Sequence, residues 1–175
     1  MATSVNADIA VRIALSETAA LDQGTRQMLH ELLWPGTLHN GSYLTGTTDE
    51  KQNLCWSDSR SLAATSETLD LYGGLSTDIS GTTINFVEVR GICIINTATV
   101  AGSILTVGNG TNPAFAGLFQ AATQRIIVPA GGIFLWTAPY DAGGLTVTNT
   151  TAQDFKIDSG AATITYKIAV WGVDA

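Results

Sequence analysis

The stretch INFVEVRGICIIN, residues 84–96, decides the fold class of this 175-residue chain. Apolar and polar residues alternate through its first half, which is typical of a β-strand with one buried face. Its second half is almost continuously apolar. Gly91 lies near the middle and indicates a bulge or a close contact with another part of the chain.

Further strands are predicted on both sides of this stretch, separated by turn residues. They cover residues 8–15, 68–72, 103–107, 125–128, 133–137, 145–148, 154–158 and 163–173. About nine strands with turn signals between them, and no helix of useful length after residue 56, are typical of an antiparallel β-sandwich. The predicted fold is therefore all-β, and a jelly roll is the leading version of it.

The N-terminal part has a different pattern. Residues 1–55 are predicted to be a strand followed by an arm, within the same unit as a β-sandwich over residues 56–175. The arm is expected to contain a short helix at residues 25–34, because Met28, Leu29, Leu32 and Leu33 have helical spacing and Pro35-Gly36 follows. Residues 39–53 are polar and rich in Gly and Thr, which favours a long loop that contacts a partner.

The charge pattern excludes two classes of partner. The chain has 8 basic and 15 acidic residues, a net charge of −7, and only 13% charged residues in total. The basic residues stand singly, whereas a nucleic-acid-binding protein needs a basic patch. No apolar stretch is long enough to span a membrane, and an acidic chain is poorly suited to a membrane surface. We therefore expect neither nucleic acid nor membrane as a partner.

No residue pattern predicts catalysis or a bound cofactor. His30 and His39 are nine residues apart and have no cluster of Cys or carboxylates beside them, so they do not form a zinc motif. The carboxylates are scattered, and Cys55 has no evident histidine partner. Cys93 lies in the apolar run and is expected in the core, and a disulfide to Cys55 is not favoured. The prediction is a protein that is not an enzyme and has no catalytic, cofactor or metal site.

Aromatic residues and arginine in and near the arm are candidate interface residues. They are Trp34, Tyr43, Trp56 and Arg60. Such residues dominate the binding energy of many protein interfaces. Two interpretations of Trp34 and Trp56 stay open: they cap the sandwich, or they anchor a contact between subunits.

Several segments resemble a family of virion structural proteins of tailed bacteriophages and prophages. They include WSDSRSLAA at residues 56–64, NFVEVRGICIIN at residues 85–96, VPAGGIFL at residues 128–135 and ITYKIAVWG at residues 164–172. Proteins of that family are typically encoded near capsid genes. The resemblance implies a virion component without catalytic residues.

Within that family, a capsid decoration (cement) protein is the leading expectation. Such a protein is made in the host cytoplasm, binds the major capsid protein on the outer surface of the assembled head and stabilises the shell. A homo-oligomer is expected, with a trimer preferred over a dimer. Two alternatives stay open: another virion component, such as a head-fibre base or tail protein, or a carbohydrate-binding β-sandwich that uses exposed tyrosines as a stacking platform.

Overall fold

The chain folds entirely from β-strands over the residues that the structure describes. The computed structural model describes residues 5–9, 12–21, 24–33, 39–43, 54–75, 83–108, 115, 117–119, 121, 123–138 and 144–174, with only the backbone up to residue 43. Two compact units are present: residues 6–43, and residues 1–5 with 44–175. The predicted all-β class is confirmed, and the described residues contain no helix.

The strands are numbered in chain order. They are β1 (Val5–Ile9), β2 (Arg12–Leu21), β3 (Gly24–Leu33), β4 (His39–Tyr43), β5 (Leu54–Ala63), β6 (Ser66–Asp70), β7 (Phe86–Asn96), β8 (Leu105–Gly108), β9 (Arg125–Val128), β10 (Ile133–Thr137), β11 (Leu145–Thr146), β12 (Asp154–Asp158) and β13 (Thr163–Asp174).

The larger unit is an antiparallel β-sandwich with jelly-roll connections. One sheet has the order β10-β7-β13-β5, with β11 also paired to β7, and the other has the order β6-β12-β8-β9. Strands β5 and β6 are outer strands of the two sheets, β7 and β8 are inner strands, and β9 and β10 are the outer strands on the other side. Strand β13 then lies between β5 and β7, and β12 lies between β6 and β8. Eight strands arranged in this way in two sheets form a jelly roll, as the sequence predicts.

The two longest central strands, β7 and β13, supply much of the core. Alternate residues of β13 point between the sheets, because successive side chains of a strand point to opposite faces. Ile164, Tyr166, Ile168 and Val170 are all at most 2% exposed. Ile92 and Ile94 of β7 lie beside them and are fully buried. The inward residues in the second half of residues 84–96 are thus buried, whereas Ile95 and Cys93, which was expected in the core, are only partly buried on the other face.

A β-bulge interrupts the pairing of β7 with β13. Trp171 is opposite Gly91 and Gly172 is opposite Val89, so Arg90 is the extra residue on β7. The indole of Trp171 lies against the backbone of Gly91: a Cβ atom added at Gly91 would stand 2.0 Å from two of its ring carbons. The bulge and close contact that Gly91 predicts are therefore both present.

One end of the sandwich is held by Asn96, the last residue of β7. Its side chain is fully buried. The amide nitrogen donates to the carbonyl oxygen of Ser103 at 2.9 Å and to that of Val128 at 3.0 Å. The backbone nitrogen of Asn96 donates to the carbonyl of Gly132, and its side-chain oxygen accepts from the nitrogen of Ala98. Val128 is the last residue of β9 in the opposite sheet and Ser103 lies in the connection before β8, so this one amide joins the end of β7 to the opposite sheet.

The predicted short helix at residues 25–34 is wrong over its described part. Residues 24–33 form strand β3, which pairs with β2 along all ten of its residues through a two-residue connection. A helix of this length is only marginally stable by itself, and in the hairpin alternate residues of each strand exchange backbone hydrogen bonds with the other. The spacing of the apolar residues alone does not distinguish a helix from a strand here. Trp34 lies outside the described residues.

The structure also defines the N-terminal strands and the expected domain boundary. The strand predicted at residues 8–15 is divided between β1 and β2, and the polar stretch at residues 39–53 begins with strand β4. The expected domain boundary after residue 55 falls within strand β5. β1 and β4 form a separate two-stranded sheet.

Replacing Asn96 by Ala should lower the free energy of unfolding by about 2 to 4 kcal/mol, because two buried carbonyl groups lose their donor. Urea denaturation measures this change. The matched control is Asn149→Ala, at an exposed turn position, which should change stability by less than about 0.5 kcal/mol. Equal effects of the two substitutions would contradict the proposed role of Asn96.

Replacing Gly91 by Ala should cost at least about 2 kcal/mol of stability, because the new methyl group would overlap the indole of Trp171. A double-mutant cycle separates this clash from a general effect on the strand. In a Trp171→Leu background the same Gly91→Ala change should cost less than half as much. A cost that is the same in both backgrounds would show that the indole is not the cause.

Candidate functional site

The structure separates the four residues that the sequence offers as interface candidates. Trp34 lies outside the described residues, and Tyr43 is described only as part of the backbone of β4. Trp56 lies in β5 and is 4% exposed within the core, so the sandwich does not present its ring at the surface. Arg60 also lies in β5 and keeps about a third of its side chain exposed. Among the candidates whose side chains the structure describes, Arg60 is the one at the surface.

Arg60 belongs to a polar cluster where the edges of the two sheets meet. Strands β5 and β6 are the outer strands of their sheets and are joined by a two-residue corner. Arg60 Nε donates to Glu67 Oε2 at 2.7 Å, and Arg60 Nη1 donates to Asp58 Oδ2 at 2.8 Å. The hydroxyl of Tyr166 donates to the other carboxylate oxygen of Glu67. We call Asp58, Arg60, Glu67 and Tyr166 the edge cluster.

The electrostatics of the edge cluster favour a structural role. The hydrogen bond to Glu67 is the largest cause of a raised pKa for Arg60, so its guanidinium stays charged. Burial is the largest cause of a raised pKa for Tyr166, and its hydrogen bond to Glu67 adds to the effect. The phenol therefore stays protonated and acts as a donor. Neither group is poised to accept a proton from a substrate near neutral pH.

Asp58 also protects the outer strand itself. Its carboxylate accepts a hydrogen bond from the backbone nitrogen of Ser59 at 2.7 Å. That nitrogen would otherwise be available to an added strand, and natural sheets block such edges with charged side chains. One backbone donor at the outer edge of β5 is therefore occupied by a charged side chain.

A second ion pair, not anticipated from the sequence, lies at the bulge in β7. Arg90 is 1% exposed, and its Nε lies 2.9 Å from Glu88 Oε1. Gly144 leaves room for this carboxylate, because a Cβ atom there would overlap it. A buried ion pair is weak evidence for stability, since desolvation offsets its attraction. The spacing of two residues, which puts side chains on the same face of a regular strand, was the available sequence signal for this pair.

The two cysteines do not form a disulfide with each other. Cys55 is exposed on β5 and Cys93 is partly buried on β7, and both thiols are free. Strand β13 lies between these two strands, which separates them by about 9 to 10 Å. A disulfide needs Cα atoms within about 7 Å. Neighbouring protein atoms partly shield both thiols from water and so raise their pKa, which lowers their reactivity.

A shallow groove lies on the outer face of the smaller sheet, with a volume of about 460 Å³. Its lining includes Arg125 and Asp158 on the polar side and Ile104 on the apolar side. None of the described residues that line it is aromatic. A stacking platform for a sugar ring, which the carbohydrate-binding alternative requires, is therefore not formed by these lining residues.

The described residues contain neither a cluster of metal-binding side chains nor a helix that could span a membrane. In residues 54–174, with the gaps stated above, and in the four N-terminal strands, no three His, Cys, Asp or Glu residues come together in a way that could hold a metal ion. The same part of the chain contains no helix long and apolar enough to cross a membrane.

Replacing Tyr166 by Phe removes the donor to Glu67 and should lower the free energy of unfolding by about 1 to 3 kcal/mol near neutral pH. The raised pKa means that the folded state binds the phenolic proton more tightly than the unfolded chain. This contribution is complete below the unfolded-state pKa of about 10 and is lost as the pH rises through the folded-state value.

The stability difference between the wild type and Tyr166→Phe should therefore shrink above pH of about 10. Urea denaturation of both proteins at several pH values between about 8 and 11 measures it. Stability curves that stay parallel over this range would contradict the assigned role of the phenol.

Comparisons with known proteins give little information on family. No protein-family model matches the chain, and no curated protein matches it. Among solved structures, the chain is similar to a subunit of the Bacillus endospore appendages, described as a "novel family of disulfide-linked pili". The identity is 14%, the match covers 75% of this chain and 98% of that one, and the TM-score is 0.34. A likeness at this level supports no inference about function.

Proposed function

We propose that this chain is a capsid decoration protein of a tailed bacteriophage, which binds the major capsid protein on the outside of the assembled head and stabilises the shell. The proposal includes a homo-oligomer, with a trimer preferred over a dimer. It is supported by the resemblance of its segments to phage virion proteins and by the kind of surface that the jelly roll presents. The fold itself hosts many functions and is not an argument for this one.

The observation that carries the proposal is the distribution of charge. Residues 91–140 contain one charged residue, Arg125. The described parts of this stretch supply the end of β7 and the whole of β8, β9 and β10, which is one side of the sandwich. A rigid surface of this size with so little charge can be buried against protein without a large desolvation cost. Subunits of a shell need such a surface, because many copies must pack closely.

The proposed contact with the head uses the N-terminal region and Arg60. Trp34 and Tyr43 stay candidate contacts, whereas Trp56 is assigned to the core. Arg60 is held in a fixed position by Glu67 and Asp58 and still exposes about a third of its side chain. A guanidinium held in this way loses little conformational entropy when it binds a carboxylate of a partner.

A protein that binds only the assembled shell shifts the equilibrium toward the intact particle by mass action. Virions that lack this protein should therefore release DNA at a lower temperature than complete virions. Adding the purified protein back should restore the release temperature. DNA release during heating, followed with a dye that is excluded from intact heads, measures the effect.

Arg60→Gln tests the proposed contact, and Lys156→Gln is its control because it removes one positive charge at another partly buried strand position. The DNA-release temperature should be restored only in part by Arg60→Gln and completely by Lys156→Gln. Unchanged heat resistance of virions without the protein, together with lost adsorption to host cells, would favour a fibre or receptor-binding role instead.

A further inference from the structure

We infer that β10 (Ile133–Thr137) is a docking edge for an extended segment of the major capsid protein, which adds to the larger sheet as a further strand. The inference rests on the proposed function and names a second contact beside the one assigned to Arg60. Strand β10 and strand β5, which carries Arg60, are the two outer strands of the same sheet. A shell surrounds each copy with several capsid subunits, so the two contacts can be made to different ones.

Every second residue of β10 points its backbone groups out of the sheet. The carbonyl of Gly132 accepts a hydrogen bond from the nitrogen of Asn96, and the nitrogen of Ala138 donates to the carbonyl of Arg90. In an antiparallel pair, residues that exchange such bonds alternate with residues that do not. The even-numbered residues of β10 therefore bind β7, and the odd-numbered ones present their N–H and C=O groups at the edge. The odd-numbered residues are Ile133, Leu135 and Thr137.

The four outer strands on which the two sheets end differ in how they are protected. These strands are β5, β6, β9 and β10, and natural sheets protect such strands with charged side chains and proline. β5 carries Asp58, which occupies the nitrogen of Ser59 at the edge. β6 carries Glu67 and Asp70, and β9 carries Arg125. β10 has neither charge nor proline, and no described strand pairs with its outer side.

The core is also incompletely covered at β10. Phe134 and Trp136 pack against the core but are only partly buried. Their partners on β7, Ile94 and Ile92, are 0% exposed. Because side chains on neighbouring strands lie side by side, the inward side chains of an added strand would cover both aromatic rings. Aromatic residues covered in this way contribute much of the binding energy of protein interfaces.

These features define the chemistry of the partner segment. The free backbone groups at the edge require an extended chain, which supplies main-chain donors and acceptors at the matching spacing. The half-buried rings of Phe134 and Trp136 favour apolar side chains on the inward face of that chain. A charged side chain there would lose its hydration without gaining a partner, because β10 carries no charge.

The capsid protein fits this edge better than a second copy of the chain does. Pairing of β10 with the same strand of another copy is two-fold symmetric and is complete with two subunits. Such pairing does not build the trimer that the proposed function prefers. Two copies also repel each other, since each carries a net charge of −7. The added strand is therefore assigned to the major capsid protein.

Two substitutions at Leu135 test the docking edge. Leu135→Pro removes an outward N–H and leaves the hydrogen bonds to β7 in place, and Leu135→Lys adds a charge of the kind that protects natural edges. Ser61→Pro and Ser61→Lys are the matched controls at an exposed position of β5. The nitrogen of Ala64 donates to the carbonyl of Ala162, so the N–H of Ser61 also points out of the sheet.

Cosedimentation with heads from virions that lack this protein measures binding, and circular dichroism verifies that each variant is folded. The wild type and both Ser61 variants should bind with the same affinity. Both Leu135 variants should bind at least about tenfold more weakly, because hydrogen bonds at the edge are lost or blocked. Equal binding by all variants would overturn the inference and leave the proposed function intact. Binding by none, the wild type included, would contradict the proposed function and the inference with it.

Hydrogen exchange of the free protein, followed by NMR, tests the edge without heads. The amides of Ile133, Leu135 and Thr137 should exchange at least about a hundredfold faster than those of Phe134 and Trp136. Slow exchange of the outward amides would show that another part of the chain covers the edge, and would overturn the inference. So would Leu135 variants that lose self-association but still bind heads, because the edge would then belong to a second copy.

Discussion

The carboxamide of Asn96 is the interaction on which one end of this protein depends. Asparagine supplies two donors and an acceptor on a short side chain, and at this position it binds the carbonyls of Ser103 and Val128 and one backbone nitrogen nearby. A buried carbonyl without a donor is costly, so the connections at this end have little freedom to take other positions. The same residue ends β7, one of the two long central strands.

The two edges of the jelly roll have opposite characters, and this difference relates the fold to the proposed assembly role. The edge formed by β5 and β6 is held by the edge cluster, in which one carboxylate, Glu67, accepts from both Arg60 and Tyr166. The other edge, formed by β9 and β10, carries no charged residue from Ile126 to Thr137. Charged side chains at the first edge disfavour pairing with an added strand, whereas the second edge can be covered by protein without a large desolvation cost.

Most strands of the sandwich could be predicted because their apolar residues alternate and Gly or Pro separates them. Strand β5 was not predicted, because between Trp56 and Leu62 its inward positions carry Asp58 and Arg60, which belong to the edge cluster and interrupt the alternation. Strand β3 was mistaken for a helix, because Met28, Leu29, Leu32 and Leu33 fit a helical spacing and the hairpin partner cannot be recognised from spacing alone. The local sequence of a strand does not show which other strand it pairs with.

The candidate site was predictable only in part, for a similar reason. Arg60 stood out as a surface residue, but its partners Glu67 and Tyr166 are 7 and 106 positions away and meet it only across the sheet edge. Trp56 could be interpreted as a cap of the sandwich or as an interface residue because it lay outside the predicted strands, and it is in the core. The cluster around Asn96 joins four chain segments, and no local pattern marks an asparagine at the end of a strand as the residue that joins two sheets.

A density map of the intact virion by electron cryo-microscopy tests the central claim most directly. The account predicts density for this jelly roll on the outer surface of the head, in closed groups of copies, with Arg60 at the contact with the major capsid protein. Density on the tail, or copies on the head whose Arg60 faces solvent, would contradict it.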